Sequence, residues 1–205
     1  MKRPLLAAGW LAACLAATYV LMRADFIPGP LGPSLQRWPD HTALTRAADR
    51  LTVAVFLHPR CVCSKATVAQ LVRLAHEHPQ AAGWVAAVFV PPPPEGAAAV
   101  WRDNDHVQQL RANIPGVRIV YDEAGQEAQR FGAWTSGTVL VYDAQGREMW
   151  RGGVTDHRGG RWDNLGVRRL AQMLAGLPMA ATGAPSPVYG CALVSTAVTQ
   201  PMEGR

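Results

Sequence analysis

Between Leu51 and Leu174 the chain alternates short apolar runs with segments of helical period, and this alternation constrains the fold more than any other feature. Leu51–Leu57 is continuously apolar and partly β-branched, the pattern of a strand covered on both faces. His58-Pro59 ends it. From Cys63 to His76, the residues Val68, Leu71, Val72 and Ala75 follow the i, i+3, i+4, i+7 spacing of a helix with one buried face. Trp84–Val90 reads as a second strand, which leaves through Pro91 to Pro94 as an extended turn. Ala97–Ala112 reads as a helix stopped by Ile114-Pro115-Gly116. Val117–Tyr121 then reads as a strand, Glu123–Phe131 as a short helix closed by Gly132, and Thr138–Tyr142 as a further strand. Ala144-Gln145-Gly146 turns the chain, Arg147–Arg151 pairs back, and Asp163–Ala175 forms a last helix with Asp163 as its cap. The expected class is α/β: a central, mainly parallel sheet with a C-terminal antiparallel hairpin and helices on both faces.

Before that domain lies a different kind of segment. Pro4 to Met22 holds 19 residues without a charge. At about 1.5 Å per residue such a helix spans a bilayer core. Lys2 and Arg3 precede it and Arg23 follows. The positive-inside rule then predicts a single pass through a bacterial inner membrane, with the folded part facing the periplasm or cell exterior. A retained anchor at residues 1–23 is the first expectation. A cleaved signal peptide, and lipidation at Cys14 within Leu11-Ala12-Ala13-Cys14, remain open beside it. Residues 24–40, with four prolines and two glycines, read as a linker. His41–Arg50 reads as a short lead-in helix to a domain covering 41–176. Residues 177–205 are rich in Ala, Pro, Thr, Ser and Gly and read as a flexible tail carrying Cys191.

Charge excludes one function class. The formal net charge is +5, but without Lys2, Arg3 and Arg23 only 17 basic residues face 15 acidic ones. No basic run with interleaved aromatics is left, so nucleic acid is not an expected partner. The glycines from Gly152-Gly153 to Gly159-Gly160 do not follow the order of a phosphate-binding loop, so no nucleotide site is expected either. Four cysteines are too few for a disulfide scaffold, which makes their placement the informative feature.

Two of them fall in His58-Pro59-Arg60-Cys61-Val62-Cys63-Ser64-Lys65, where a strand gives way to a helix. Free backbone N–H groups and the positive end of the helix dipole favour thiolate there. Arg60 and Lys65 add positive charge. A cysteine in such a setting becomes a nucleophile or a metal ligand.

These residues resemble the thioredoxin superfamily. Phe56-Leu57-His58-Pro59-Arg60-Cys61 looks like that family's strand, its proline and its attacking cysteine. Asp122-Glu123-Ala124-Gly125 through Phe131-Gly132, then Thr138 to Asp143 and Gly146, is similar to the membrane-anchored periplasmic branch and its peroxiredoxin-like relatives. That resemblance covers residues 48–176, and the chain is also similar to the bacterial RedB-like proteins, through His58 to Cys63 and a C-terminal Tyr189-Gly190-Cys191. The resemblance implies a thioredoxin-like fold and thiol–disulfide exchange on the thiols or disulfides of a partner protein. Two positions depart from it. Ser64 stands where the family has its second cysteine, and Gly137 stands where it has a proline beside the site.

The expected chemistry is attack by Cys61, with Cys63 or Cys191 resolving the mixed disulfide. His58, Pro59, Arg60, Ser64, Lys65 and Gly137 are the supporting residues, and no cofactor is required. A Cys61–Cys63 bond needs distorted backbone, because residues two apart do not face each other on a helix. A second reading uses Cys61, Cys63 and His58, or His106 or His157 from a loop, to bind copper for delivery. A third is a binding module that has lost catalysis, which Ser64 permits. Trp134, near Gly137, is a further candidate for lining a groove.

Overall fold

The structure is a computed structural model, and it describes residues 2–92, 101–178 and 185–194. Five strands form one sheet in the order β3-β2-β1-β4-β5. They are β1 (Leu51–Leu57), β2 (Ala82–Val90), β3 (Arg118–Glu123), β4 (Thr138–Tyr142) and β5 (Glu148–Gly152). The helices are α1 (Lys2–Ala24), α2 (Ser64–Glu77), α3 (Asp105–Asn113), α4 (Gln126–Arg130) and α5 (Leu165–Leu174).

β1, β2 and β3 run parallel, with Val55 opposite Ala86 and Ala87 opposite Val120. β4 runs antiparallel to β1, with Ala54 opposite Leu140, and β5 antiparallel to β4. The expected mainly parallel sheet is therefore corrected to a mixed one. The reason is the path after β3. That strand is at one edge, and the chain crosses to the far side of β1 at the end where β3 finishes. It enters β4 from that end, and so runs against β1.

β1 is central, and its alternate side chains feed two cores. Val53, Val55 and Leu57 meet Val68, Leu71 and Leu74 of α2, Leu110 of α3 and Leu170 of α5. Ala54 and Phe56 face the opposite way, onto Ala128, Phe131, Leu140, Tyr142, Leu44 and Leu193. Burial on both faces explains why β1 is an unbroken apolar run. Three helices cover the first face. The second is covered by the short α4 and by chain that flanks the domain in sequence.

That flanking chain departs from three expectations. His41–Arg50 forms turns and bends instead of a helix. His41 is left-handed at φ 56°, the Thr42 hydroxyl accepts from the Leu44 N–H, and the Ala47 N–H donates to Thr52 Oγ1. Side-chain oxygens take the donors that a helix would use. The expected linker is docked: the Gly32 N–H donates to the Gly132 carbonyl, and Trp38 packs edge-on against Phe131 and Tyr142. Residues 185–194 are not a loose tail. Ser186, Val188, Tyr189 and Leu193 are buried, and the Gly29 N–H donates to the Val188 carbonyl. Residues 179–184 and 195–205 lie outside the described part, as do Pro93, Pro94 and the stretch 97–100 of the helix expected over Ala97–Ala112.

One cap assignment also shifts. α5 is capped by Asn164, whose Oδ1 accepts from the Val167 N–H, while Asp163 pairs with Arg168 at 3.2 Å. α3 begins after Asn104, which accepts from the His106 and Val107 N–H groups. The apolar N-terminal run is a helix throughout. Among the described residues no helix is long and apolar enough to cross a membrane.

Candidate functional site

β1 delivers the chain to the site. The His58 N–H donates to Ser136 Oγ at 2.7 Å, which fastens the end of β1 to the loop before β4. Gly137 completes that clamp by donating its N–H to the Phe56 carbonyl at 2.8 Å. Its φ of +91° suits glycine, and an added Cβ would press on Thr67 Oγ1 at 3.0 Å. Cys61 follows in a tight turn, its N–H bonded to the His58 carbonyl. The Cys61 carbonyl accepts from the Ser64 N–H at 3.1 Å, and α2 begins at Ser64. Cys61 thus stands at the amino end of a 14-residue helix, where expected.

The burial of that cysteine was not expected. Cys61 is 0% exposed, and the C-terminal segment covers it. Ser136 donates its N–H to the Cys191 carbonyl at 2.8 Å, and Leu193 donates to the Trp134 carbonyl at 2.8 Å. Thr135 and Ala192 form an antiparallel bridge. Gly190 sits so close to Ser136 that a Cβ would overlap the Ser136 carbonyl oxygen. The Cys191 N–H then points at Cys61 Sγ from 3.3 Å.

These contacts decide the protonation order. Burial by itself raises the Cys61 thiol. The Ser64 hydroxyl, the Cys191 thiol and the N–H groups of Cys191 and Ser64 outweigh it together and hold Cys61 below the ordinary cysteine value. Cys191 moves the other way, up to about 12, because of partial burial and because it donates to Cys61. Cys63 is raised by burial and by the charge of Cys61, with Arg158 opposing. Among the three sulfurs the thiolate is therefore favoured on Cys61.

The expected cations are engaged elsewhere. The Arg60 guanidinium lies over the Trp101 ring at 4.2 Å, and Lys65 pairs with Asp105 at 3.1 Å. The cation at the site is Arg158, whose Nη1 donates to the Gly190 carbonyl at 3.1 Å and whose side chain reaches Cys63. Nothing in the sequence marked it, because it lies in a glycine-rich loop far from the motif. Ser136 was likewise missed; its hydroxyl meets Ser64 Oγ at 2.7 Å and is buried. Ser64, the residue in the second-cysteine position, is thus a donor to the Cys61 sulfur and a bridge to the Gly137 loop.

The histidines divide. His106 is buried, with Nε2 at 3.1 Å from the Cys61 carbonyl, and burial lowers its pKa. His58 stacks on Phe89, and its Nδ1 accepts from the Arg60 N–H. Burial, then the charge of Arg60, lowers its pKa. His157 is paired with Asp156 and stacked on Phe26. Among the described residues no group of three or more His, Cys, Asp or Glu is placed to hold a metal ion. Trp134 packs where Gly32 approaches its ring, which places it against the docked linker. A cleft of about 290 Å³ opens at the motif, lined by Pro59, Arg60, Cys61, Val62, Lys65, Asn104, Asp105 and His106.

No protein-family model matches the chain, and no curated protein matches it. Solved structures do. An uncharacterized conserved protein from Geobacillus kaustophilus aligns over 85% of this chain and 95% of its own, at 20% identity and a TM-score of 0.56. A hypothetical protein from Sinorhizobium meliloti 1021 aligns over 73% and 82%, at 18% identity and 0.52. A secreted Mycobacterium tuberculosis disulfide oxidoreductase homologous to E. coli DsbE aligns over 62% and 82%, at 16% identity and 0.41. The likeness is one of fold. The sheet order β3-β2-β1-β4-β5 and a cysteine at the junction of β1 and α2 agree with the architecture that the resemblance to the thioredoxin superfamily implies.

Proposed function

We propose, from this thioredoxin-like architecture, that the protein performs extracytoplasmic thiol–disulfide exchange with partner thiols, and that Cys61 and Cys191 form its redox couple. The observation that carries the proposal is the direct contact between the two. The Cys191 N–H faces Cys61 Sγ at 3.3 Å, and the two thiols share a hydrogen bond. Low pKa on one partner and high pKa on the other gives a stabilised thiolate beside a protonated thiol. In the reduced protein Cys61 carries the favoured thiolate, Ser64 and the backbone of α2 stabilise its charge, and Arg158 positions Gly190 and Cys191. Oxidation joins the two sulfurs, gives up the proton held by Cys191 and sends two electrons to the partner disulfide, which leaves as two thiols with the second proton taken from solvent. Cys63 lies beside them but begins the helix, in the conformation that disfavours a Cys61–Cys63 bond.

The anchor belongs to the same proposal. α1 leaves Trp10, Leu15, Tyr19, Val20 and Leu21 exposed, an apolar surface that the domain does not cover. Membrane insertion would bury it and hold the domain on the periplasmic side, where disulfides persist. Lys2 and Arg3 would then remain inside.

Thiol counting across glutathione redox buffers tests the couple. The full chain in detergent should lose two thiols in one two-electron transition. That transition should disappear in Cys61→Ser and in Cys191→Ser and survive in Cys63→Ser. A transition that survives in Cys191→Ser contradicts the proposal. Stoichiometric copper on the reduced chain, lost in Cys61→Ser, would favour metal carriage instead.

A further inference from the structure

In the redox couple proposed above, one sulfur must meet the outside thiol first. We infer that it is Cys191, and that Cys61 serves as the buried leaving thiolate. This inference rests on the Cys61–Cys191 couple and adds the direction of attack.

Two independent features of the geometry carry it. The first is access. Cys61 has no exposed surface, whereas Cys191 is exposed. The cleft beside Pro59 and His106 has Cys61 in its lining, but Cys61 keeps no solvent-accessible surface there. The Cys61 carbonyl there is bonded to His106. The second is occupation of the backbone. A peptide partner could add to the edge at residues 134–136 through main-chain hydrogen bonds. Residues 191–193 already take those groups: Ser136 N–H to the Cys191 carbonyl, the Thr135–Ala192 bridge, and Leu193 N–H to the Trp134 carbonyl. The protein presents its own extended segment in that position, with a cysteine at the point nearest Cys61. A partner therefore needs no strand-docking groove. It needs only a thiol that can reach the surface at Cys191.

The step balances as follows. An external thiolate attacks Cys191 Sγ of the Cys61–Cys191 disulfide. The bond between the two protein sulfurs breaks, a bond between Cys191 and the external sulfur forms, and the electron pair leaves on Cys61. There the thiolate is received by the Ser64 hydroxyl and the Ser64 N–H. A second external thiolate attacks the external sulfur of the mixed disulfide. This releases the external disulfide and leaves Cys191 as a thiolate, which takes up a proton. Two external thiols are oxidised and the protein gains two thiols. A leaving group of low pKa departs faster, so this order of attack is also the kinetically favoured one.

The test uses glutathione as the external thiol. The full chain, oxidised with one equivalent of diamide and held in detergent, is mixed with excess glutathione and quenched in acid within milliseconds. Free thiols are alkylated, and glutathione is located by peptide mass spectrometry. The transient adduct is expected on Cys191, with the alkylating label on Cys61, at an excess of at least about tenfold over the reverse arrangement. Glutathione on Cys61 or Cys63 overturns the inference while leaving the couple intact. Starting material that lacks a Cys61–Cys191 disulfide overturns both, and the two failures are distinguishable before glutathione is added. The Cys61→Ser chain gives a second reading: reduced and then treated with oxidised glutathione alone, it should exchange glutathione onto Cys191 and keep that adduct, because no Cys61 thiolate is there to displace it. Rapid loss of that adduct also counts against the assignment.

Discussion

At the scale of single residues, the account turns on how one sulfur keeps a charge without solvent. Burial works against the Cys61 thiolate, and four hydrogen bonds from Ser64 and Cys191 prevail over it. Thiolate absorbance of the reduced protein should therefore rise in separated steps. Cys61 should ionise below the ordinary cysteine range, and Cys191 near 12. The linked effect on stability has opposite signs for the two. The Cys61 contribution is present above its unfolded pKa and is lost as pH falls through the lowered folded value. The Cys191 contribution is present below its unfolded pKa and is lost as pH rises toward about 12. The reduced site is thus best stabilised between those limits. A single unresolved step at the ordinary cysteine value would mean that Ser64 and Cys191 do not donate to Cys61.

Secondary-structure elements and their flanks form the next scale. The C-terminal segment is held by backbone contacts and by Gly190, which leaves no room for a Cβ beside Ser136. Gly190→Ala should lift residues 190–192 away and remove the Cys191 N–H from Cys61. A hydrogen bond to a charged acceptor contributes about 1.5–3 kcal/mol, so the Cys61 pKa should climb toward the ordinary range. An unchanged Cys61 titration in Gly190→Ala would separate the segment from the thiolate. The docked linker makes a different prediction. Trp38 packs on Phe131 and Tyr142, and Trp38→Ala should cost about 3 kcal/mol in urea unfolding. A loss under about 1 kcal/mol would show that residues 24–40 are not part of the folded unit.

The same elements show how far the residues could be read in advance. β1 and β4 are continuous apolar runs between clear stops, and their observed bounds, Leu51–Leu57 and Thr138–Tyr142, match the reading. α2 is legible because Val68, Leu71 and Ala75 fall on one helical face. The direction of β4 is not written in its own residues. It depends on where the chain returns after β3. The lead-in helix failed because Thr42 and Thr52 hydroxyls satisfy backbone groups locally. The C-terminal segment looked loose because its composition is that of a tail, while its order comes from main-chain bonds that composition does not encode. Cys191 could be noticed as a motif residue, but its meeting with Cys61 across 130 positions could not be derived.

At the scale of the whole molecule, the fold places the Cys61 sulfur under a segment that lies 130 positions further along the chain. The apolar α1 is proposed to hold that assembly at a membrane. The full chain should then remain in the membrane fraction after alkaline carbonate extraction, and a chain lacking residues 4–22 should not. Release of the full chain by carbonate would remove the anchor from the account while leaving the redox couple untouched. The order β3-β2-β1-β4-β5 has a further consequence. β1 and the loop before β4 are neighbours, so Cys61, Ser136 and the C-terminal segment are fixed by one central element. Changes that loosen β1 should reach the thiol chemistry as well as stability. Leu71→Ala, which opens a void beneath β1, should cost about 2–5 kcal/mol and broaden the Cys61 titration.

Disulfide mapping of the oxidised full chain tests the central claim most directly. Cleavage after Arg60 and Lys65 isolates Cys61 and Cys63 on one small peptide, and sequencing of the linked product tells them apart. The account predicts a single linkage between Cys61 and Cys191, with Cys63 free. A Cys61–Cys63 bond, or an oxidised protein in which Cys191 is still a thiol, contradicts it.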